Sequence, residues 1–573
     1  MKSRTPKFNA LLDKILDNAV PSVVSCKECG EQFEIFIEDI NMYKLLRVPV
    51  QKICPNCRQQ RRLSFTNYSH IFRTPCKAPG HHENVISIMP PEMPWIGYDF
   101  DYYNSDAWNP QDYEPDLEEG NFFDYYFDLL SKIPQPLVRR GVGSTNSDYS
   151  FYGKNMKNCY YVFSSHESEN VMYSTSIFQS KDVIDSYYVR SIEMCHNNVL
   201  TIKCYKCTNI YFSNDCVQSD FLYDCRNCIN CFGCVNLRNK SNCFFNVQLS
   251  KSEYEQKRKE IDLGKRSNFE KYNNKFWELV KASPISANRI RQSNNAVGND
   301  IDNCKNAYFV SQAEESENVR YGQMFIGIKD SMDFGFCGTS EKLYEIVNVG
   351  AQSSNVKFGY ASKYCIDCEY IFSCHNCTNC FGCVGLKNVS YAIFNKVYEP
   401  EEYFRIVDDL KVRLLNEGNY GEYFPYKFSN FAYNTSMAQI LYPLTKEQIM
   451  AKGAYWQDEI KVVTGSLETV KSENLPDDID DLSDDIFGKA ILSASSENPF
   501  RFVPTEIEFY KRYRISLPTM TPLERNLERY ERMGNFRIFQ DNCFSCGQTI
   551  WSGYQTKDGF KPYCEKCYQQ EVY

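Results

Sequence analysis

Four Cys-x-x-Cys pairs at the two ends of the chain are the residues best suited to chemistry. Cys26 and Cys29 precede Cys54 and Cys57, and Cys543 and Cys546 precede Cys564 and Cys567. Two thiols in one knuckle face the same side of an ion, and a second pair completes a tetrahedron. Zinc favours such closed all-thiolate sets, which leave no exchangeable position for catalysis. The intervals between pairs, 24 residues at the front and 17 at the rear, are zinc-ribbon spacings. The expectation is about two Zn2+ per chain, each structural, contributing on the order of 10 kcal/mol or more to a small fold. No catalytic residue and no organic cofactor site is expected.

Three arginines follow the front ribbon directly: Arg58, Arg61 and Arg62. Residues 1–80 carry 13 Lys/Arg against 7 Asp/Glu, so this end is a candidate nucleic-acid contact. The competing reading pairs these arginines with the acidic segment from Asp99 to Asp128. Cys76, with Gly80, His81 and His82, reads as a degenerate, metal-free second ribbon. The runs Cys225, Cys228, Cys231, Cys234 and Cys374, Cys377, Cys380, Cys383 leave three readings open: thiols buried in a narrow core, further zinc ligands, or an iron–sulfur loop.

These motifs sit in a chain of 573 residues, long enough for several cores. Its 64 basic and 73 acidic side chains leave a net charge of −9, which argues against a whole-surface grip on nucleic acid. An odd total of 27 Cys without an export signal suits a reducing compartment and metal or buried thiols, not a disulfide framework. Lys7, Asp13, Lys14 and Asp17 interrupt the apolar positions of Met1 to Val24, which predicts an amphipathic helix and not a signal peptide. With no 18-residue apolar run, the expectation is a cytoplasmic protein with no membrane partner. Walker, Rossmann, nucleophile-elbow and His-Glu-x-x-His patterns are absent from the sequence, so the reading leans away from an enzyme.

Repeats predict the architecture. Asn230-Cys-Phe-Gly-Cys-Val-Asn-Leu-Arg-Asn239 returns as Asn379-Cys-Phe-Gly-Cys-Val-Gly-Leu-Lys-Asn388, an offset of 149. Within each copy an Asn or Asp recurs at intervals of about 12: Asn158, Asn170, Asp182 in one, and Asn306, Asn318, Asp330, Asn355, Asp367, Asn379 in the other, with a weak copy near Leu343 filling the longest gap. Strand, turn and strand every 12 residues predict a coiling β-solenoid. A second echo joins the ends, Phe33 to Tyr43 with Phe500 to Tyr510. The fold class is therefore mainly β with short helices: two tandem β-solenoid, β-helix-like modules flanked by N- and C-terminal zinc ribbons.

The expected boundaries are as follows. Residues 1–75 hold the N-terminal helix and zinc ribbon, and 76–149 the degenerate ribbon and an acidic, aromatic wrapping segment. Residues 150–283 form the first Cys-rich solenoid module with capping helices, 284–300 a linker, and 301–418 the second module with its capping helix. Residues 419–486 form a connecting segment whose stretch Glu473 to Asp485 is an acidic, loosely held linker. Residues 487–535 form a degenerate metal-free ribbon, and 536–573 the C-terminal zinc ribbon.

Cys54-Pro-Asn-Cys-Arg-Gln-Gln-Arg-Arg62 after Glu38-Asp39, the two Asn-Cys-Phe-Gly-Cys-Val repeats, Tyr423-Phe-Pro-Tyr-Lys-Phe-Ser429 and Tyr563-Cys-Glu-Lys-Cys-Tyr568 together resemble one family. It is an uncharacterised zinc-ribbon, Cys-rich-repeat family of uncultured candidate-phylum bacteria. The resemblance runs along nearly the whole chain and implies zinc ribbons at both ends and no activity. The chain departs from the family pattern around Ala490 to Ser495, where a Cys would be expected, which implies that the first rear ribbon lacks metal. The leading expectation is a zinc-binding, non-enzymatic scaffold presenting a solenoid surface to a protein or glycan partner. The alternatives are a nucleic-acid-associated zinc-ribbon protein and an iron–sulfur or redox protein.

Overall fold

From Tyr152 to Phe245 the backbone enters the left-handed region at every third residue, and the same pattern runs through most of Asp300 to Phe394. Asn and Asp tolerate that conformation best. Here it also holds residues such as Tyr173, Leu200 and Phe221. Each left-handed residue makes a corner, and the two residues between corners are extended. Strands pair in parallel with partners twelve residues on: Ile210 with Leu222 and Leu222 with Cys234, Val356 with Cys368 and Cys380 with Ala392. The corner amides close the ladder, with Asp224 N donating to Tyr211 O at 3.0 Å and Asn236 N to Tyr223 O at 2.9 Å. In the first stretch the pairing of 193–196 with 208–211 closes six parallel strands into a ring. The structure is strand-rich, as expected.

The residue after each corner points inward. Met156, Cys159, Val162, Val171, Ile177, Val183 and Val189 form the buried line of one stretch, and Ala307, Val310, Ala313 and Val319 that of the other. The interior is narrow, so small and β-branched side chains fill it. The Asn rhythm of the sequence lies on the corners: Asn146, Asn158, Asn170 and Asp182 form a ladder of side-chain hydrogen bonds of 2.7–3.1 Å. Among the described residues, three parallel pairings of the two stretches depart from twelve, the first being Ile290 with Ile301 at eleven. Asn294 pairs with Lys305 across a bulge at Val297/Gly298, and Glu341 pairs with Ser354. Gly298 is required at that bulge, because a Cβ there would meet Val310 O at 2.0 Å.

The computed structural model describes residues 4–115, 120–350, 352–458, 467–534 and 537–573. Residues 1–3 of the N-terminal segment, 116–119 of the acidic aromatic segment and 459–466 of the connecting segment lie outside the described residues. The chain divides into two compact units. The first comprises Met1–Val138, Asn288–Gln457 and Phe536–Ile538, and the second Arg139–Ala287, Asp458–Asn535 and Phe539–Tyr573. Each unit therefore joins one triplet-built stretch to one end of the chain.

In the first unit, helix Pro6–Asp17 packs against helix Pro400–Asn416, where Asp408 accepts the Phe8 amide at 2.8 Å and the Lys7 amide at 3.1 Å. Hairpin 22–35 is followed by helices Ile37–Leu46 and Pro55–Leu63, and hairpin 72–87 by the short helix Phe100–Asn104. Helix Phe122–Lys132 buries Phe122 against Tyr370, Phe381 and Phe394. The second unit repeats the hairpin-and-helix pattern at 489–500 with helix Pro522–Arg532, and at 539–552 with helix Glu565–Val572. Ser250 and Glu253 cap helix Lys251–Lys259 reciprocally, as their spacing predicts.

Two expectations need correction. Strand pairing of the second stretch begins at Ile290, which faces Ile301, inside the segment read as a linker. The acidic run Glu473 to Asp485 is not loosely held. Leu475, Ile479 and Leu482, with Ile486 just beyond, are buried with Ile507 and Phe509, so apolar spacing within the run outweighs its charge. Among the described residues, no helix is long and apolar enough to cross a membrane.

Candidate metal centres

The front hairpin turns through Cys26 and Cys29, and Cys54 caps helix Pro55–Leu63, which carries Cys57 in its first turn. All four sulfurs lie within 4.8 Å of one another. Cys29 Sγ stands 3.9 Å from Cys54 Sγ. Main-chain amides already serve the sulfurs: Cys54 N donates to Cys26 Sγ at 3.2 Å, Glu28 N to the same sulfur at 3.4 Å, and Cys57 N to Cys54 Sγ at 3.4 Å. The Cys57 thiol, the Cys57 amide and the neighbouring thiols hold Cys54 down at about 5. A thiolate held ionised at neutral pH is a ready ligand.

The rear centre has the same build. Cys543 and Cys546 lie on the turn of hairpin 539–552, Cys564 caps helix Glu565–Val572, and Cys567 lies in its first turn. The four sulfurs again fall within 4.8 Å, with Cys546 Sγ 3.9 Å from Cys564 Sγ and Cys564 N donating to Cys543 Sγ at 3.2 Å. Burial opposes ionisation of Cys543, but the amides of Cys546, Cys564 and Ser545 outweigh it and bring the thiol down to about 6. Each centre could hold one metal ion. With four sulfurs around it, such an ion would have no open position. All 27 cysteines are free thiols, none joined in a disulfide.

Hairpin 489–500 shows what replaces a metal. Ser493, Ser496, Thr521 and Glu524 stand at the places that Cys26, Cys29, Cys54 and Cys57 hold in the front hairpin. Glu524 gathers them: its oxygens accept Ser493 Oγ and Ser495 Oγ at 2.6 Å each and the Thr521 amide at 2.7 Å. A carboxylate hub closes this hairpin.

The candidate phosphate contacts are placed differently from their reading. Arg58 and Arg62 are buried, and their partners are not in the acidic segment 99–128. Arg58 Nη2 lies 2.9 Å from Asp333, and Arg62 Nη1 lies 3.1 Å from Asp333 and 2.7 Å from Glu345. Burial opposes both charges, and the two carboxylates more than restore them. One turn of helix separates Arg58 from Arg62, so both face the same way. Arg61, on another face, pairs with Glu28. Two of the three guanidiniums are thus committed to fastening helix Pro55–Leu63 onto the triplet stretch. The second unit uses the same device: Arg525 Nε and Arg529 Nη1 reach Asp185 Oδ1 at 3.1 and 3.2 Å. Asp39 accepts from Arg320 at 2.5 Å and Tyr321 at 3.1 Å, as Glu506 accepts from Tyr173 at 3.0 Å.

Cys225, Cys228, Cys231 and Cys234, and Cys374, Cys377, Cys380 and Cys383, are all fully buried. Each run fills four successive inward positions at the three-residue spacing. Cys225 Sγ donates to Tyr223 O at 3.6 Å and Cys234 O at 3.5 Å, and Cys374 Sγ to Phe372 O at 3.6 Å and Cys383 O at 3.5 Å. Serines at equivalent places do the same, Ser186 Oγ to Ile184 O at 3.1 Å. Among the described residues these sulfurs form no group within 4.8 Å like those at the chain ends. The three-residue period was present in the Cys-x-x-Cys-x-x-Cys-x-x-Cys run itself. Asp333, Glu345 and Asp185 carried no sequence signal, because their role depends on pairing across hundreds of residues.

No protein-family model matches the chain, and no curated protein matches it in sequence.

Proposed function

We propose that this is a zinc-binding, non-enzymatic scaffold of two β-solenoid repeat modules, each fastened to zinc ribbons from one end of the chain. The observation that carries the reading is the pair of four-sulfur groups of one geometry, each within 4.8 Å and each on a hairpin followed by a helix. Zinc suits an all-thiolate set better than calcium or magnesium, which take oxygen ligands. The twelve-residue register and inward triplets support the solenoid, in which each circuit is a repeat that buries its thiols between neighbours. The eight ligands are Cys26, Cys29, Cys54, Cys57, Cys543, Cys546, Cys564 and Cys567, and the cytoplasm is the compartment that keeps the remaining thiols reduced.

The second unit offers a partner surface. Tyr205, Val217, Ile229 and Ser241 stack as neighbours on one face, with Tyr205 and Ile229 each more than a third exposed. Beside them a groove of about 630 Å3 is lined by Lys206, Gln218, Asn230, Tyr254, Arg258 and Lys259. An apolar column next to amide and cationic groups suits a protein or glycan partner. The test is thiol counting before and after a strong chelator. Metal release is expected to expose the eight thiols of the two four-sulfur groups, while the coil cysteines stay silent until unfolding. Release of no metal overturns the reading. For the partner surface, Lys206→Glu with Ile229→Asp is expected to abolish binding found on glycan and peptide arrays, and array binding that both changes leave intact moves the partner elsewhere.

A further inference from the structure

The hairpin at 72–87 was expected to be metal-free, with Cys76 alone left from a ribbon. Its main chain repeats three of the hydrogen bonds that frame the four-sulfur groups. Cys76 N donates to Glu83 O at 3.0 Å, as Cys26 N does to Glu31 O and Cys543 N to Gln548 O, at 2.8 Å each. Lys77 N donates to Gly97 O at 2.8 Å, as Lys27 N does to Lys52 O and Phe544 N to Pro562 O, at 2.9 and 2.8 Å. Asp99 N donates to Cys76 Sγ at 3.3 Å, where Cys54 N and Cys564 N donate to Cys26 and Cys543. Asp99 also caps helix Phe100–Asn104, as Cys54 and Cys564 stand at the N-caps of theirs. It therefore holds the place of the third ligand. The knuckle loop is two residues longer, from Cys76 to Glu83 against Cys26 to Glu31, and it carries His81 into the second ligand's place.

The three donors meet. Asp99 Oδ2 lies 3.2 Å from Cys76 Sγ and 2.8 Å from His81 Nδ1, and Glu83 Oε1 is 3.2 Å from the same nitrogen. Cys76, His81 and Asp99 all fall within 4.8 Å of one another. Asp99 Oδ1 is engaged with the Asp101 and Tyr102 amides at 2.9 Å each, which leaves Oδ2 for the cluster. His81 Nδ1 is shielded from solvent yet makes no aligned hydrogen bond. The fourth place, held elsewhere by Cys57 and Cys567, falls to Tyr102, whose ring stands edge-on to His81 at 5.3 Å.

We propose that Cys76, His81 and Asp99 form a third divalent-metal site, for zinc or cobalt, with its fourth position open to water or an added donor. Thiolate, imidazole and carboxylate with one vacancy is the ligand pattern of exchangeable or reactive zinc, unlike the closed four-thiolate sets. Binding exchanges the Cys76 thiol proton for the metal, so one proton is released to solvent per ion bound at that sulfur. Small anions and thiols are the ligands such a position takes.

The test uses the full chain, stripped and reloaded with Zn2+ or Co2+. His81→Ala and Asp99→Asn, the latter keeping a cap acceptor, are expected to bind one ion fewer than the parent. The readout is a difference, so it holds whatever occupancy the four-thiol centres reach, and failure of those centres is read separately from Cys29→Ser and Cys564→Ser. The metal-free variants are expected to melt with the metal-free parent, which separates ligand loss from misfolding. Equal ion counts in parent and variants overturn the site. Azide added to the Co2+ form is expected to change the parent's visible spectrum and not that of His81→Ala. An unchanged parent spectrum overturns the open position.

Discussion

Ser493 donates its hydroxyl to Glu524 Oε2 at 2.6 Å, at the two places where the front hairpin has Cys26 and Cys57. Burial opposes ionisation of Glu524, but the hydroxyls of Ser493, Ser495 and Ser496 hold its carboxyl at about 2. Its stabilising contribution is therefore complete above the ordinary carboxylate value near 4.5 and is lost as pH falls toward 2. Glu524→Ala is expected to cost about 1–3 kcal/mol by leaving these donors unsatisfied, measured by urea unfolding at neutral pH. Replacing Ser493, Ser496, Thr521 and Glu524 together by Cys is expected to add one bound ion per chain, read by elemental analysis.

Glu506 responds to pH in the opposite sense. Burial pushes it up to about 7 against the pull of Arg525, with Asp185 adding to the rise and the Tyr510 and Tyr173 hydroxyls opposing it. Its contribution is complete below about 4.5 and is lost as pH rises through about 7. Glu506→Gln is expected to flatten the fall in urea midpoint between about pH 5 and about pH 8. An unchanged slope assigns that fall to other groups.

Arg62 and Asp333 are a buried pair whose value lies in its completeness. Removing one partner, by Arg62→Ala or Asp333→Asn, strands charge without solvent and is expected to cost about 3–5 kcal/mol in denaturant unfolding. The single changes are expected to be strongly non-additive when combined, because the second removes the charge that the first left unpaired.

The coil thiols are buried core. Burial pushes the Cys337 thiol up to about 12, so it stays protonated and slow toward alkylating agents at neutral pH. Neighbouring thiols instead draw Cys228 and Cys377 down, and burial alone keeps reagents from those two. Cys231→Ser is expected to cost about 1 kcal/mol, because a hydroxyl can take over the thiol's bond to either Ile229 O or Lys240 O. Cys231→Leu is expected to cost about 1–3 kcal/mol or more by overfilling the circuit. Thermal shifts of the two variants, compared side by side, check the order.

Loss of a terminal ligand is expected to act locally. Cys29→Ser or Cys564→Ser releases one ion and raises hydrogen exchange in the affected hairpin and its helix, while the strand signal in circular dichroism persists. Collapse of the strand signal in either variant contradicts a local role.

The terminal cysteines were legible because metal ligation imposes a spacing that survives without any knowledge of the fold. Asn158, Asn170 and Asp182 marked the twelve-residue interval of strand pairing, since corner residues are chosen for local backbone reasons. The finer period of three was masked because only the inward residue is constrained chemically, and it varies among Ser, Cys, Val, Ile and Ala. Asp99 was hidden for another reason. Read as one acidic residue in an acidic stretch, it becomes a candidate ligand only when the chain folds Gly97 against Lys77. Arg58 and Arg62 read as phosphate contacts or as partners of the segment 99–128, because sequence shows charge and not its burial against Asp333 and Glu345.

The glycine bulge at Gly298 carries one last implication. Where every third side chain must turn inward and each lap takes twelve residues, an insertion or deletion anywhere shifts all later side chains relative to the interior. The bulge absorbs the loss of one residue, as the thirteen-residue register between Glu341 and Ser354 absorbs the gain of one. Genes of this design are therefore expected to change length by whole laps, or at such slack points, and a library of random single-codon deletions should survive selection for folding mainly there.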